Sequence, residues 1–184
     1  MAVAIGVVVD RVAGAGRPPG EDVFERGGDE LLELAPPGVG VHVAVDDYSR
    51  LAYAEVLPDE RATTAVAFLQ RALAFFARHG IEVERVLTDN GPAYLATLHA
   101  IACRQLRIRH LRTRPRRPQT NGKAERFIRT LQAGWAYGAI YRNSSERTAA
   151  LDGWLWHYNH LRKHSALGHH PPITRVTNLL GNYS

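Results

Sequence analysis

The sequence predicts an α/β fold, a mixed five-stranded sheet flanked by helices on both faces. Three observations predict it. The chain opens on three stretches of strand character, short apolar stretches then alternate with segments of helical periodicity, and 45% of its 184 residues are apolar. That length and apolar content suit one domain with a proper core.

The first strand, Val3 to Val9, is apolar on both faces, as a central strand covered on two sides should be. It ends at Asp10. A signal-peptide reading of this opening fails, because no basic leader precedes it and the charge arrives too soon. Residues 11–37 are rich in Gly, Pro and acidic groups and read as a long excursion without periodicity. Val41 to Val45 and Leu51 to Leu57 then read as two antiparallel strands joined by the polar turn Asp46-Asp47-Tyr48-Ser49-Arg50, with Pro58 closing the pair.

Ala65, Phe68, Leu69, Ala72 and Phe76 recur at helical spacing, and Gly80 after His79 marks the stop. Arg85 to Thr88 is a short buried strand that delivers Asp89. A second helix is expected through Leu95, Leu98, Ala102 and Leu106, followed by a last strand from Arg107 to Leu111. A third begins near Asn121 with Phe127, Ile128, Leu131 and Trp135 as its buried stripe. A fourth begins at Ser144 or Ser145, with Leu151, Trp154, Leu155 and Tyr158 on one face. The segment boundaries predicted are 1–37 for the first strand and its atypical extension, 38–175 for a catalytic core, and 176–184 for a tail.

Charge and composition narrow the function. A net charge of +5 and a pI near 9.7 favour a polyanionic partner, since each phosphate neutralised by Lys or Arg releases condensed counterions. The single cysteine, Cys103, excludes an internal disulfide and a cysteine-rich zinc site. His157, His160, His164, His169 and His170 lack an accompanying cysteine and read as structural or DNA-contacting groups instead of a zinc cluster. No apolar run approaches the roughly 20 residues a membrane span needs, so a soluble, cytoplasmic protein is expected.

Two acids carry the chemistry. Asp89 ends a strand in Leu87-Thr88-Asp89-Asn90-Gly91, and Glu125 lies in a helix within the segment Thr113 to Phe127. Carboxylates so placed suit hard divalent cations, which activate a water or a 3′-hydroxyl on one side of a phosphodiester and stabilise the leaving oxygen on the other. A turn role for Asp89 and a helix-dipole role for Glu125 are the plainer alternatives. Arg112, Arg114, Arg116, Arg117, Lys123, Arg126 and Arg129 surround the Glu and fit phosphate contacts, and amides at Asn121 and Gly122 could hold a phosphate at the helix start.

Thr88-Asp89-Asn90-Gly91, Pro118-Gln119-Thr120-Asn121-Gly122-Lys123-Ala124-Glu125-Arg126, and Tyr158-Asn159-His160 through Arg162, His164, Leu167-Gly168 and Pro171-Pro172 resemble the catalytic core of DDE insertion-sequence transposases, relatives of retroviral integrases. The resemblance runs from about Gly38 to Arg175. It implies an RNase H-like fold, two magnesium or manganese ions, and DNA strand nicking followed by strand transfer. It further implies transposon ends and target DNA as partners, a homo-oligomer on DNA, and a nucleoid-associated location in a bacterium.

The third ligand implied by family position is Asp10, which with Asp89 and Glu125 would complete the catalytic and metal-binding set. Both Asp10 and Asp89 end strands, so convergence is expected, while Asp46 and Asp47 read as turn-forming acids. The surroundings of Asp10 depart from the family pattern: Arg11-Val12-Ala13-Gly14 replaces a Lys-rich stretch, and the segment to Pro37 has no counterpart. Two rival readings follow, a truncated and catalytically inactive DNA-binding remnant, or an RNase H-like nuclease on hybrids or branched DNA.

Overall fold

A computed structural model describes residues 4–11, 40–113 and 122–180. Five strands, β1 (Ala4–Arg11), β2 (Gly40–Asp46), β3 (Ala52–Leu57), β4 (Val83–Thr88) and β5 (Arg109–Arg112), form one sheet in the order β3-β2-β1-β4-β5. β2 and β3 pair antiparallel and β4 and β5 parallel, which confirms the mixed sheet. The central strand β1 runs parallel to β2 and antiparallel to β4.

Successive β2 side chains enter opposite faces, and both faces are covered. Ala44 joins Val7, Val9 and Val86 under α1 (Ala62–Arg78), whose Phe68, Leu69 and Phe76 fill that layer. Val43 and Val45 face the other way, onto Phe127 and Leu131 of α4 (Gly122–Leu131) and onto Leu151, Leu155 and Tyr158 of α6 (Leu151–His160). Burying each such side chain contributes roughly 1.5–3 kcal/mol. The all-buried run from Val43 to Val45 is therefore the signature of a strand sandwiched between helical layers.

Helix ends follow local chemistry. α1 stops where Gly80 takes φ +70°, a left-handed conformation open to glycine at no steric cost. The short helix α5 (Ser144–Ala149) starts because the Asn143 side chain accepts the Glu146 N–H at 2.9 Å.

Three elements differ from expectation. The second helix is broken into α2 (Pro92–Leu95) and α3 (Thr97–Gln105) by Ala96, whose ψ of 140° is extended. That break shifts the helical phase, so Leu95, Leu98 and Leu106 are exposed while His99, Ala102 and Cys103 point inward. α4 continues into a π-helical turn, Gln132–Ala136, which keeps Trp135 in the core with its Nε1–H donating to the Arg147 carbonyl at 2.8 Å. A helix α7 (Pro172–Leu180) runs through the expected core-to-tail boundary after Arg175, and its Val176 is buried in the first layer.

Candidate active site

Asp89 follows the last residue of β4 and opens a tight turn. Its Oδ1 accepts the Gly91 N–H at 2.8 Å, while Asn90 Nδ2 donates to the carbonyl and the hydroxyl oxygen of Thr113 beyond β5, at 3.1 and 3.3 Å. These bonds tie the ends of the two parallel strands together and fix the carboxylate on its backbone. A Cβ at position 91 would stand 3.0 Å from Asp89 Oδ1, so a larger residue there requires that carboxylate to shift by a few tenths of an ångström. Turn and ligand chemistry are thus compatible in Asp89.

Glu125 lies half-buried in the first turn of α4, which packs across β1 and β2. Lys123 of the same turn is not simply a phosphate contact: its Nζ pairs with Asp47, which also lies 3.7 Å from Arg50. Arg126 and Arg129 are exposed on α4, and Arg112 is exposed at the end of β5. Gly122 is the first residue of α4. Arg114, Arg116, Arg117 and Asn121 lie outside the described residues.

The remaining acids of the sequence reading go elsewhere. Asp46 is fully buried and accepts from Ser49, at 2.8 Å from its N–H and 2.5 Å from its hydroxyl, the work of a turn-forming acid. Asp47 joins its N–H to the Val9 carbonyl at 2.8 Å. Asp10 is the register partner of Arg85, near the start of β4, because β1 and β4 are antiparallel. The strand ends expected to converge therefore lie apart. Val7 stands between Ala44 and Thr88, so one step further the β1 residue level with Asp89 is Gly6, partner of Val43. Asp10 is four positions along (10 − 6), about 13 Å of strand.

Among the described residues, neither Asp89 nor Glu125 belongs to a three-ligand cation group. A magnesium-type cation is commonly held by one or two carboxylates together with waters and substrate phosphates, a chemistry that acids such as Asp89 and Glu125 supply. A group of three does form next to Thr88, from His99, Cys103 and His110. Its signal in the sequence was the spacing of His99 and Cys103, one turn apart on one face of a helix. Burial pushes the Cys103 thiol up to about 11 and the His99 imidazole down to about 4.

Asn159 gives the Tyr158-Asn159-His160 stretch a structural role. Its amide donates to the Ala52 carbonyl at 2.8 Å and accepts the Ala52 N–H at 2.9 Å, bridging α6 to the edge strand β3. Tyr158 packs edge-on against Phe127 at 4.9 Å and is stacked on Trp154 at 5.5 Å. The C-terminal motif thereby fastens α6 to both β3 and α4.

Residues 28–118 and 106–172 each match the Integrase core domain family. The chain belongs to that family. It is 32% identical over 109 residues to an uncharacterized protein of insertion element IS136 from Agrobacterium fabrum, covering 59% of this chain and 54% of that one. It is 38% identical over 88 residues to the transposase InsD of insertion element IS2 from Escherichia coli, covering 47% and 29%. The catalytic core domain of BIV integrase superposes with a TM-score of 0.58 at 26% identity, over 77% of this chain and 87% of that one. A chain of the simian T-cell lymphotropic virus intasome gives a TM-score of 0.58 at 28% identity, covering 72% and 46%.

The fold is accordingly RNase H-like, and the chain is a transposase or integrase catalytic domain. The family acts on DNA. The chain spans about half the length of the IS136 protein and less than a third of the IS2 transposase.

Proposed function

We propose that this integrase core catalyses polynucleotidyl transfer on DNA, nicking a strand and joining the 3′-hydroxyl to a target during movement of an insertion element. Asp89 and Glu125 are its catalytic carboxylates and hold a magnesium- or manganese-type cation. The observation that carries the reading is Asp89 itself, at the carboxyl end of an inner strand, with Oδ1 accepting the Gly91 N–H.

Such a cation, when bound, supplies activation of water or a 3′-hydroxyl and stabilisation of the leaving oxygen. The chain's own residues do the rest. The Gly91 N–H and the Asn90 bridge to Thr113 hold Asp89 in place, so no reorganisation is needed as DNA arrives. Arg126 and Arg129, exposed on the helix that carries Glu125, meet the phosphate backbone and orient the duplex. Arg112, Arg114, Arg116 and Arg117 extend that surface in the proposal, with a homo-oligomer on the DNA and action at the nucleoid. No helix among the described residues is long and apolar enough to cross a membrane.

One observation favours the second reading, an inactive DNA-binding remnant. The β1 position level with Asp89 is occupied by Gly6, which offers no ligand. Asp10 stands as the sequence's candidate for the third ligand. Incubating the chain and its Asp89→Asn variant with supercoiled plasmid and manganese separates the readings: nicking lost in the variant supports catalysis, and DNA binding without nicking in either protein supports the remnant.

A further inference from the structure

We propose that His99, Cys103 and His110 form a binding site for a thiophilic divalent cation of the zinc type, separate from the carboxylates Asp89 and Glu125. His99 and Cys103 lie one turn apart on α3 and are both buried, and β5 brings His110 against them. One ligand atom from each residue lies within 4.8 Å of the other two. His99 Nδ1 is 3.6 Å from the Cys103 sulfur. Two ligands sharing a tetrahedral zinc, at about 2.0–2.1 Å for nitrogen and 2.3 Å for sulfur, stand roughly 3.3–3.7 Å apart. That pair already has the spacing of common coordination, and the others need to close by no more than about 1.5 Å.

The hydrogen bonds leave donors ready for an ion. The Thr88 hydroxyl lies 3.0 Å from the Asp89 carbonyl, to which it donates, and 2.9 Å from His110 Nε2. One neutral tautomer of His110 donates from Nε2 to Thr88 and keeps a lone pair on Nδ1. The same Thr88 bond is the outer support that orients a ligating imidazole. His99 is fully buried, and its Nε2 has no hydrogen-bond partner among the described residues.

The donor set selects the ion. One thiolate and two neutral imidazoles suit zinc-type cations and disfavour magnesium, which takes oxygen ligands. On binding, the Cys103 S–H bond breaks, the sulfur keeps the electron pair for the metal, and the proton leaves to solvent. His110 is half-buried, and a water would complete the four ligands. The site would lock α3 to β5 directly behind Thr88 and thus brace the backbone of Asp89.

Cobalt(II) added to the chelator-stripped full chain reads the site directly. The chain holds one cysteine, so a thiolate-to-cobalt absorption band can come from Cys103 alone. One cobalt per chain with that band, displaced by zinc but not by magnesium, is the expected result. Zinc at a hundredfold excess over its Kd should raise Tm by roughly 5 °C or more. Cys103→Ser should abolish the band, His110→Gln should weaken binding by about tenfold or more, and Asp89→Asn should keep both. A titration of the unaltered chain with neither a thiolate band nor a zinc-dependent rise in Tm overturns the proposal, whether or not the variants fold. A band retained in His110→Gln at undiminished affinity also overturns it.

Discussion

Asp10 and Arg85 are register partners across the β1 and β4 ladder, so the acid that closes β1 sits at the level where β4 begins. Asp89 lies beyond the other end of β4, level with Gly6. Replacing Asp10 with Asn should therefore leave manganese affinity unchanged within about twofold, since its backbone stands four positions, about 13 Å, along the strand from the level of Asp89. A tenfold loss, measured by calorimetry, would restore Asp10 as a ligand.

Asn159 satisfies both backbone groups of Ala52 in a buried setting. Asn159→Ala leaves an N–H and a C=O without partners and should cost roughly 2–5 kcal/mol by urea unfolding. A cost below about 1 kcal/mol would mean that water replaces the amide.

Gly91→Ala tests the support of the carboxylate. The added Cβ would press on Asp89 Oδ1 at 3.0 Å, and the neighbour that gives way is that side chain. The expected outcome is weakened manganese binding with Tm nearly unchanged, the reverse of what a residue important only to folding would produce.

Burial holds His99 at about 4, well below the ordinary histidine value of 6.5. The unfolded chain then binds a proton that the native chain refuses, so stability is fully present above pH 6.5 and falls as pH drops towards 4. Each unit of depression is worth about 1.4 kcal/mol. In chelator, urea unfolding of the His99→Gln variant should show a flatter loss between pH 6.5 and 4 than the unaltered chain; equal slopes would show that His99 contributes nothing to acid sensitivity.

Much of this fold could be read from the sequence because periodicity reports burial. Val43 to Val45, the Phe68 to Phe76 stripe and the Gly80 stop each needed only local information. The direction of β1 did not have that character. A strand apolar on both faces pairs equally well parallel or antiparallel, and the register that separates Asp10 from Asp89 is decided by residues far along the chain. The phase shift at Ala96 escaped for a similar reason, since nothing in Leu95-Ala96-Thr97 breaks a helix by propensity. Of the site, Asp89 and its turn were legible in Asp-Asn-Gly, whereas Cys103 gained its neighbours only when α3 met β5.

The exposed cations of α4 should bind phosphate without reading sequence. Arg126→Ala and Arg129→Ala should weaken binding to unrelated duplexes equally and lower the log-log salt slope by about 0.9 for each phosphate no longer neutralised. A loss confined to one duplex sequence would assign them to base recognition.

The central claim is that Asp89 and Glu125 share a hard divalent cation, and manganese binding followed by electron paramagnetic resonance tests it most directly. The account predicts that Asp89→Asn and Glu125→Gln each reduce affinity by about tenfold or more. Tm without metal should be unchanged or raised, because two carboxylates placed to share one ion repel each other when it is absent. Undiminished manganese affinity in both folded variants would contradict it.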